Sequence, residues 1–89
     1  MLFAIICKDK AGALQTRLDN REKHLAYLAE TGIVQIAGPF LEDGRMTGSM
    51  VVVEGDGIEV AKDWAANDPY AKAGLFEDVR ITEWKKVVG

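Results

Sequence analysis

His24 is the only histidine in the chain, and so the only side chain whose unperturbed charge changes between about pH 5 and 8. Arg17 lies one heptad before it and Arg21 three residues before it, so in a helix the three share one flank. A histidine flanked by guanidinium groups suits proton transfer beside an anion: the imidazole moves the proton, and an arginine holds an anionic or enolate oxygen. Asp68, in Asn67-Asp68-Pro69-Tyr70, is a carboxylate at a helix end that needs solvent or a cationic partner, which one of these arginines or His24 could supply. It would accept from one ring nitrogen, fix the tautomer and leave the other nitrogen to work. Ser49 and Tyr70 are candidates to orient a substrate through their hydroxyls. Each residue also has a plainer reading. His24 could be a half-exposed helix residue, Asp68-Pro69 a helix stop, Ser49 an edge-of-strand hydroxyl, and Tyr70 and Trp64 core or interface aromatics.

Other chemistry finds fewer residues. Cys7 lies in an apolar run and reads as a packing residue rather than a nucleophile. One His and one Cys make no metal-ligand pattern, and no glycine run matches a phosphate-binding loop. No metal and no cofactor are expected. Without a nucleophile–base–orienter triad, the economical reaction classes are elimination, isomerisation or hydrolysis of a small polar or aromatic molecule.

These residues need a scaffold. Leu2 to Lys8 is short and continuously apolar, as a strand buried on both faces would be. Asp9-Lys10-Ala11-Gly12 breaks it. From Ala13 to Thr31 the period is helical: Leu14, Leu18, Leu25, Leu28 and Ala29 form a stripe, and Gly32 suits a left-handed terminus. His24 falls about 60–100° from the centre of that stripe, at the rim between core and solvent. Ile33 to Ala37 reads as a strand ended by Gly38-Pro39, Glu42 to Arg45 as a turn, and Thr47 to Glu54 as a second unalternating strand. Gly48 at its start marks a bulge or a close approach. Asp56-Gly57-Ile58-Glu59 resembles a capping box and opens a helix that must stop before Pro69. After a loop from Ala71 to Gly74, Glu77 to Val88 is the last strand.

The order strand-helix-strand-strand-helix-strand predicts a ferredoxin-like βαββαβ sandwich, an α+β fold with a four-stranded antiparallel sheet and two helices on one face. The first and third strands would lie in the middle. Both look apolar on each side, yet helices cover one side only, so a second copy of the chain is expected on the open face.

At 89 residues the chain has room for one domain. A net charge of −3, with basic residues scattered among acidic ones, argues against nucleic-acid binding. The apolar N-terminus stops at Lys8, too short to span a membrane and without a basic leader, and the lone cysteine excludes a disulfide scaffold. A complete, cytoplasmic protein is the expectation.

Taken together, several blocks resemble the YCII-related family: the opening strand into Asp9-Lys10, Arg17 and Arg21 before His24-Leu25, Ala37-Gly38-Pro39, Thr47-Gly48-Ser49, Ala66 to Tyr70, and Ala73 to Glu77. His24 and Asp68-Pro69-Tyr70 at this separation are the specific part. The resemblance spans nearly the whole chain. It implies a ferredoxin-like fold, a dimer related to the dimeric α/β barrels, and an active site centred on a histidine and an aspartate, here His24 and Asp68. Family members include a dehydrochlorinase acting on chlorinated hydroxyquinols. The turn from Leu41 to Met46 is shorter than in many relatives, which alters one wall of the expected pocket. Two readings follow: a cofactor-independent acid/base lyase or isomerase, or a non-catalytic dimeric module that binds a small molecule or assists another protein. A cofactor-free monooxygenase would need a substrate that itself activates oxygen.

Overall fold

In the computed structural model, which describes all 89 residues, the two continuously apolar segments become the inner strands of one antiparallel sheet. The strands are β1 (Leu2–Asp9), β2 (Val34–Glu42), β3 (Arg45–Glu54) and β4 (Phe76–Trp84), in the spatial order β2-β3-β1-β4. The helices are α1 (Leu14–Asp19), α2 (Arg21–Thr31), α3 (Ile58–Asn67) and the single turn α4 (Pro69–Lys72). The fold is ferredoxin-like α+β. Cross-strand partners Phe3–Val53, Ile5–Val51 and Cys7–Ser49 share the face beneath the helices. There Ala61, Trp64 and Ala65 of α3 close the core over them, with Tyr27 and Leu28 of α2 packed alongside. Leu2, Ala4, Ile6, Met50 and Val52 alternate onto the opposite face, which no helix covers.

The helical segment after β1 departs from the expected form. It is two helices, interrupted at Asn20, whose side-chain amide donates to the Thr16 carbonyl at 2.9 Å. Of the expected leucine stripe only Leu28 packs against the core: Leu14, Leu18 and Leu25 are exposed, and the residues buried on α1 and α2 are Arg17 and His24. The inner surface of this segment therefore serves polar groups at Arg17 and His24 as well as the hydrocarbon of Tyr27 and Leu28.

Strand β2 does not end at Gly38-Pro39 but runs through them to Glu42. It is an edge strand, where a proline lacking an N–H leaves no inner ladder bond unmade. Asp43 and Gly44, both at positive φ (50° and 77°), then turn the chain directly into β3, with Glu42 opposite Arg45. The register of β3 against β2 shifts beside Phe40/Leu41, and Gly48 is packed so tightly that a Cβ would run into the Cys7 carbonyl oxygen. Gly57, not Asp56, is the cap of α3, and no side chain caps it, so the expected capping box is absent. The loop expected from Ala71 is partly helical, because Pro69 opens α4. Strand β4 stops at Trp84, opposite Leu2, where β1 itself begins and pairing partners end. No helix is long and apolar enough to cross a membrane.

Candidate functional site

Five elements bring buried polar side chains to one end of the helix-covered face. Asp68 sits between α3 and α4, where the end of one helix becomes the start of the next. A carboxylate at a helix C-terminus opposes the macrodipole. Here the same residue is the N-cap of α4, and its Oδ1 accepts from the Tyr70 backbone N–H at 2.9 Å. His24 Nδ1 donates to that oxygen at 2.8 Å, and both side chains are almost wholly buried. An ionised carboxylate only accepts, so the bond puts the Nδ1 proton on the imidazole and leaves Nε2 as the lone-pair nitrogen of the neutral ring. Nε2 has no protein partner and is not sealed from solvent.

The ring of Tyr70 lies against the imidazole, with centroids 3.9 Å apart and planes 13° from parallel. Above Tyr70, the Arg17 guanidinium carbon is 4.8 Å from the ring centroid. Arg17 is itself clamped by Asp9 at the end of β1: Nε donates to Oδ2 at 2.7 Å and Nη2 to Oδ1 at 2.8 Å. Burial works against the Arg17 charge, but the bonds and charge of Asp9 outweigh it and hold the guanidinium more firmly protonated than usual. Burial raises the Tyr70 hydroxyl above its ordinary value, with Arg17 opposing. Tyr70 is therefore a neutral hydroxyl at neutral pH, able to donate.

These groups border a cavity of about 230 Å³ between α1, α2 and the β2–β3 edge. Its lining includes Arg17, Arg21, His24 and Tyr70 on one side, and Ala37, Gly38, Pro39, Met46, Ser49 and Val51 on the other. All six expected site residues are thus in or beside it: five line it, and Asp68 stands behind His24. Two differ among themselves in a way their spacing did not reveal. Arg17 is only 3% exposed and occupied by Asp9, whereas Arg21 is exposed and forms no ion pair. The Ser49 hydroxyl is buried with no hydrogen-bond partner in the protein. A buried hydroxyl left unpaired costs about 1–3 kcal/mol, and the residue that carries this one borders the cavity.

Asp9 is the participant that sequence reasoning missed. Between Lys8 and Lys10 it reads as the polar end of a strand, and only the fold carries it to Arg17 eight residues on. Cys7 neighbours Ser49 across the sheet, but burial, reinforced by the Asp68 charge, pushes its thiol up to about 12. It is no nucleophile. No three His, Cys, Asp or Glu side chains converge as a metal site would require. A larger hollow, about 500 Å³, is lined by Lys8, Lys10, Glu42, Arg45 and Glu77 among others, and does not reach His24. Its Lys8–Glu77 ion pair is largely exposed, so the smaller cavity is the one where buried chemistry converges.

Known proteins resemble this chain at different depths. A protein from Haemophilus influenzae, described only as uncharacterised, is 37% identical, and the alignment covers 98% of this chain and 99% of that one. Protein YciI of Escherichia coli O6:H1 is 39% identical over 97 aligned positions, again covering 98% and 99%. Because 97 positions exceed the 89 residues here, these relatives carry residues that this chain lacks. Among solved structures, the 5-chloro-2-hydroxyhydroquinone dehydrochlorinase TftG from Burkholderia phenoliruptrix AC1100, in complex with 2,5-dihydroxybenzoquinone, superposes with a TM-score of 0.88 at 40% identity. That match covers 96% of this chain and 94% of the dehydrochlorinase. An antibiotic biosynthesis monooxygenase, at 12% identity and a TM-score of 0.61, shares the fold alone. The YCII-related domain itself matches residues 1–85, and with full-length relatives near 40% identity the conclusion is direct: the chain belongs to the YCII-related family.

Proposed function

We propose that this protein is a cofactor-independent acid/base enzyme, lyase- or isomerase-like, acting on a small polar or aromatic molecule through His24 and Asp68. The observation that carries the reading is the buried 2.8 Å bond from His24 Nδ1 to Asp68, which leaves Nε2 open beside a small cavity. Nε2 takes a proton from a substrate hydroxyl or an acidic C–H, and Asp68 stabilises the imidazolium that results. The substrate's electron pair then either expels a leaving anion or returns to carbon, where the same imidazolium delivers the proton. Neither course needs an oxidant or reductant. Arg21 faces the developing oxyanion, while Ser49 and Tyr70 orient it. The dehydrochlorinase at 40% identity supports the elimination branch, whose net change is loss of a proton and chloride.

The test is chloride release from 5-chloro-2-hydroxyhydroquinone by the native chain, His24→Ala and Asp68→Asn. Turnover by the native chain, reduced about 10²–10⁴-fold in both variants with far-UV circular dichroism unchanged, supports the reading. Full activity in either variant overturns it. Binding of 2,5-dihydroxybenzoquinone without turnover of any related substrate favours a non-catalytic binding module instead.

The working form is proposed to be a cytoplasmic homodimer packed through the open sheet face. Half-buried Leu2, Ile6 and Met50 form its centre, around Ala4 and Val52 that are already buried in the single chain, with Ile36 (53% exposed) and Trp84 (41% exposed) as its flanks. Sedimentation equilibrium near micromolar concentration then gives about twice 9.8 kDa, and Met50→Glu halves it. A native chain that stays monomeric removes the dimer.

A further inference from the structure

The geometry points to Asp9 as a positioning residue of the His24 site, acting through Arg17 on Tyr70 and so on the plane of the imidazole. Four side chains form one continuous column. Asp9 grips Arg17 with two bonds of 2.7 and 2.8 Å, Arg17 lies 4.8 Å over the Tyr70 ring, and Tyr70 lies 3.9 Å from His24 at 13°. Every member is buried, from 2% exposed at Tyr70 to 9% at Asp9. Two bonds to a planar guanidinium leave it no freedom to rotate, which single-point ion pairing would allow.

Stability alone does not explain the pair. A buried carboxylate–guanidinium pair gains little over apolar side chains of the same size, because desolvation offsets the attraction. What the pair supplies is direction. The imidazole is held at one edge by Asp68, a contact about which the ring could still tilt. The Tyr70 face removes that tilt, and Arg17 with Asp9 presses Tyr70 into place. The pairing commits Nε and Nη2 of Arg17 to Asp9, whereas Arg21 has no ion-pair partner in the protein.

The inference rests on His24 as the working group of the site, but its test needs no substrate. A ring stacked this closely shifts the imidazole protons upfield, and with a single histidine their NMR resonances need no assignment. The urea-unfolded chain supplies the unstacked reference, with all spectra taken at matched ring protonation. The double variant Asp9→Leu/Arg17→Met keeps the core filled with apolar groups of similar size. It is expected to fold with native circular dichroism and to move the His24 resonances at least halfway to the unstacked position. Asp9→Asn, which keeps the shape but loses the charge and one acceptor, is expected to move them the same way by less. Native resonance positions in the folded double variant overturn the proposal. If that variant fails to fold, native positions in Asp9→Asn do so alone. Loss of the upfield shift in these variants, with chloride release indifferent to Asp68→Asn, would retain the column and remove the proposed chemistry.

Discussion

One oxygen of Asp68 serves two masters in this structure: Oδ1 accepts from His24 Nδ1 at 2.8 Å and from the Tyr70 backbone N–H at 2.9 Å. The group that orients the imidazole is therefore the group that starts α4, and α4 carries the ring that stacks on the imidazole. Orientation and capping are a single contact.

Substitutions at Asp68 should accordingly separate charge from geometry. Asp68→Asn keeps an oxygen able to accept both bonds, so its stability should stay within about 1 kcal/mol of the native chain while the proposed activity falls. Asp68→Ala loses the cap, at about 1 kcal/mol, and leaves the buried Nδ1–H unpaired, at about 1–3 kcal/mol more. Urea unfolding of the two variants measures the difference. Equal midpoints would mean that Oδ1 holds neither group.

Ser49 offers the opposite trade. Its buried hydroxyl has no partner, so Ser49→Ala should leave the unfolding temperature unchanged or raise it. If the hydroxyl meets a ligand oxygen, the same change should weaken binding of 2,5-dihydroxybenzoquinone about fivefold, the worth of roughly 1 kcal/mol. Calorimetry on one pair of proteins reads both numbers.

Cys7 should be silent toward alkylation in the native protein and reactive after unfolding. With the thiol raised from 9.0 to about 12 by burial, the folded chain holds about a thousandfold less thiolate at pH 8. The sign for stability follows. Between those values the unfolded chain has released the proton and the folded chain has not, so stability falls as pH rises through that window and is intact below it. Tyr27 and Tyr70, raised chiefly by burial, act in the same direction. Unfolding of Cys7→Ala across pH 9–12 should therefore retain part of the slope but lose the cysteine's share.

Gly48 tests the packing beneath the cavity. A Cβ there meets the Cys7 backbone carbonyl, which cannot swing aside as a flexible side chain would. Gly48→Ala should cost about 1–3 kcal/mol by thermal unfolding and displace the adjacent Ser49. A native unfolding temperature would show that the β1–β3 spacing yields readily.

What could be read from the chain depended on whether its pattern was local. The two inner strands were legible because β1 and β3 are apolar without alternation, and the Asp43-Gly44 turn because only such residues accept positive φ. The leucine row of α1 and α2 misled for a definite reason. Periodicity assumes that the inner face of a helix is apolar, and here part of that face is given to Arg17 and His24, leaving Leu14, Leu18 and Leu25 outside. The proximity of His24 to Asp68 was anticipated from their helices sharing a sheet face and from family likeness. Asp9 was not, because a polar residue closing a strand looks the same whether it meets water or a buried guanidinium.

The His24–Asp68 contact joins positions 44 residues apart, and Oδ1 reaches it only after both outer helices have docked on the sheet. A contact of such separation carries a large loop-closure cost and forms with the global transition rather than by local ordering. The Tyr70 amide, buried and bonded to that oxygen, should thus exchange with deuterium only through whole-molecule opening, its protection equal to the free energy of unfolding. One backbone proton then reports continuously whether the imidazole's support is assembled, in any variant and without a substrate.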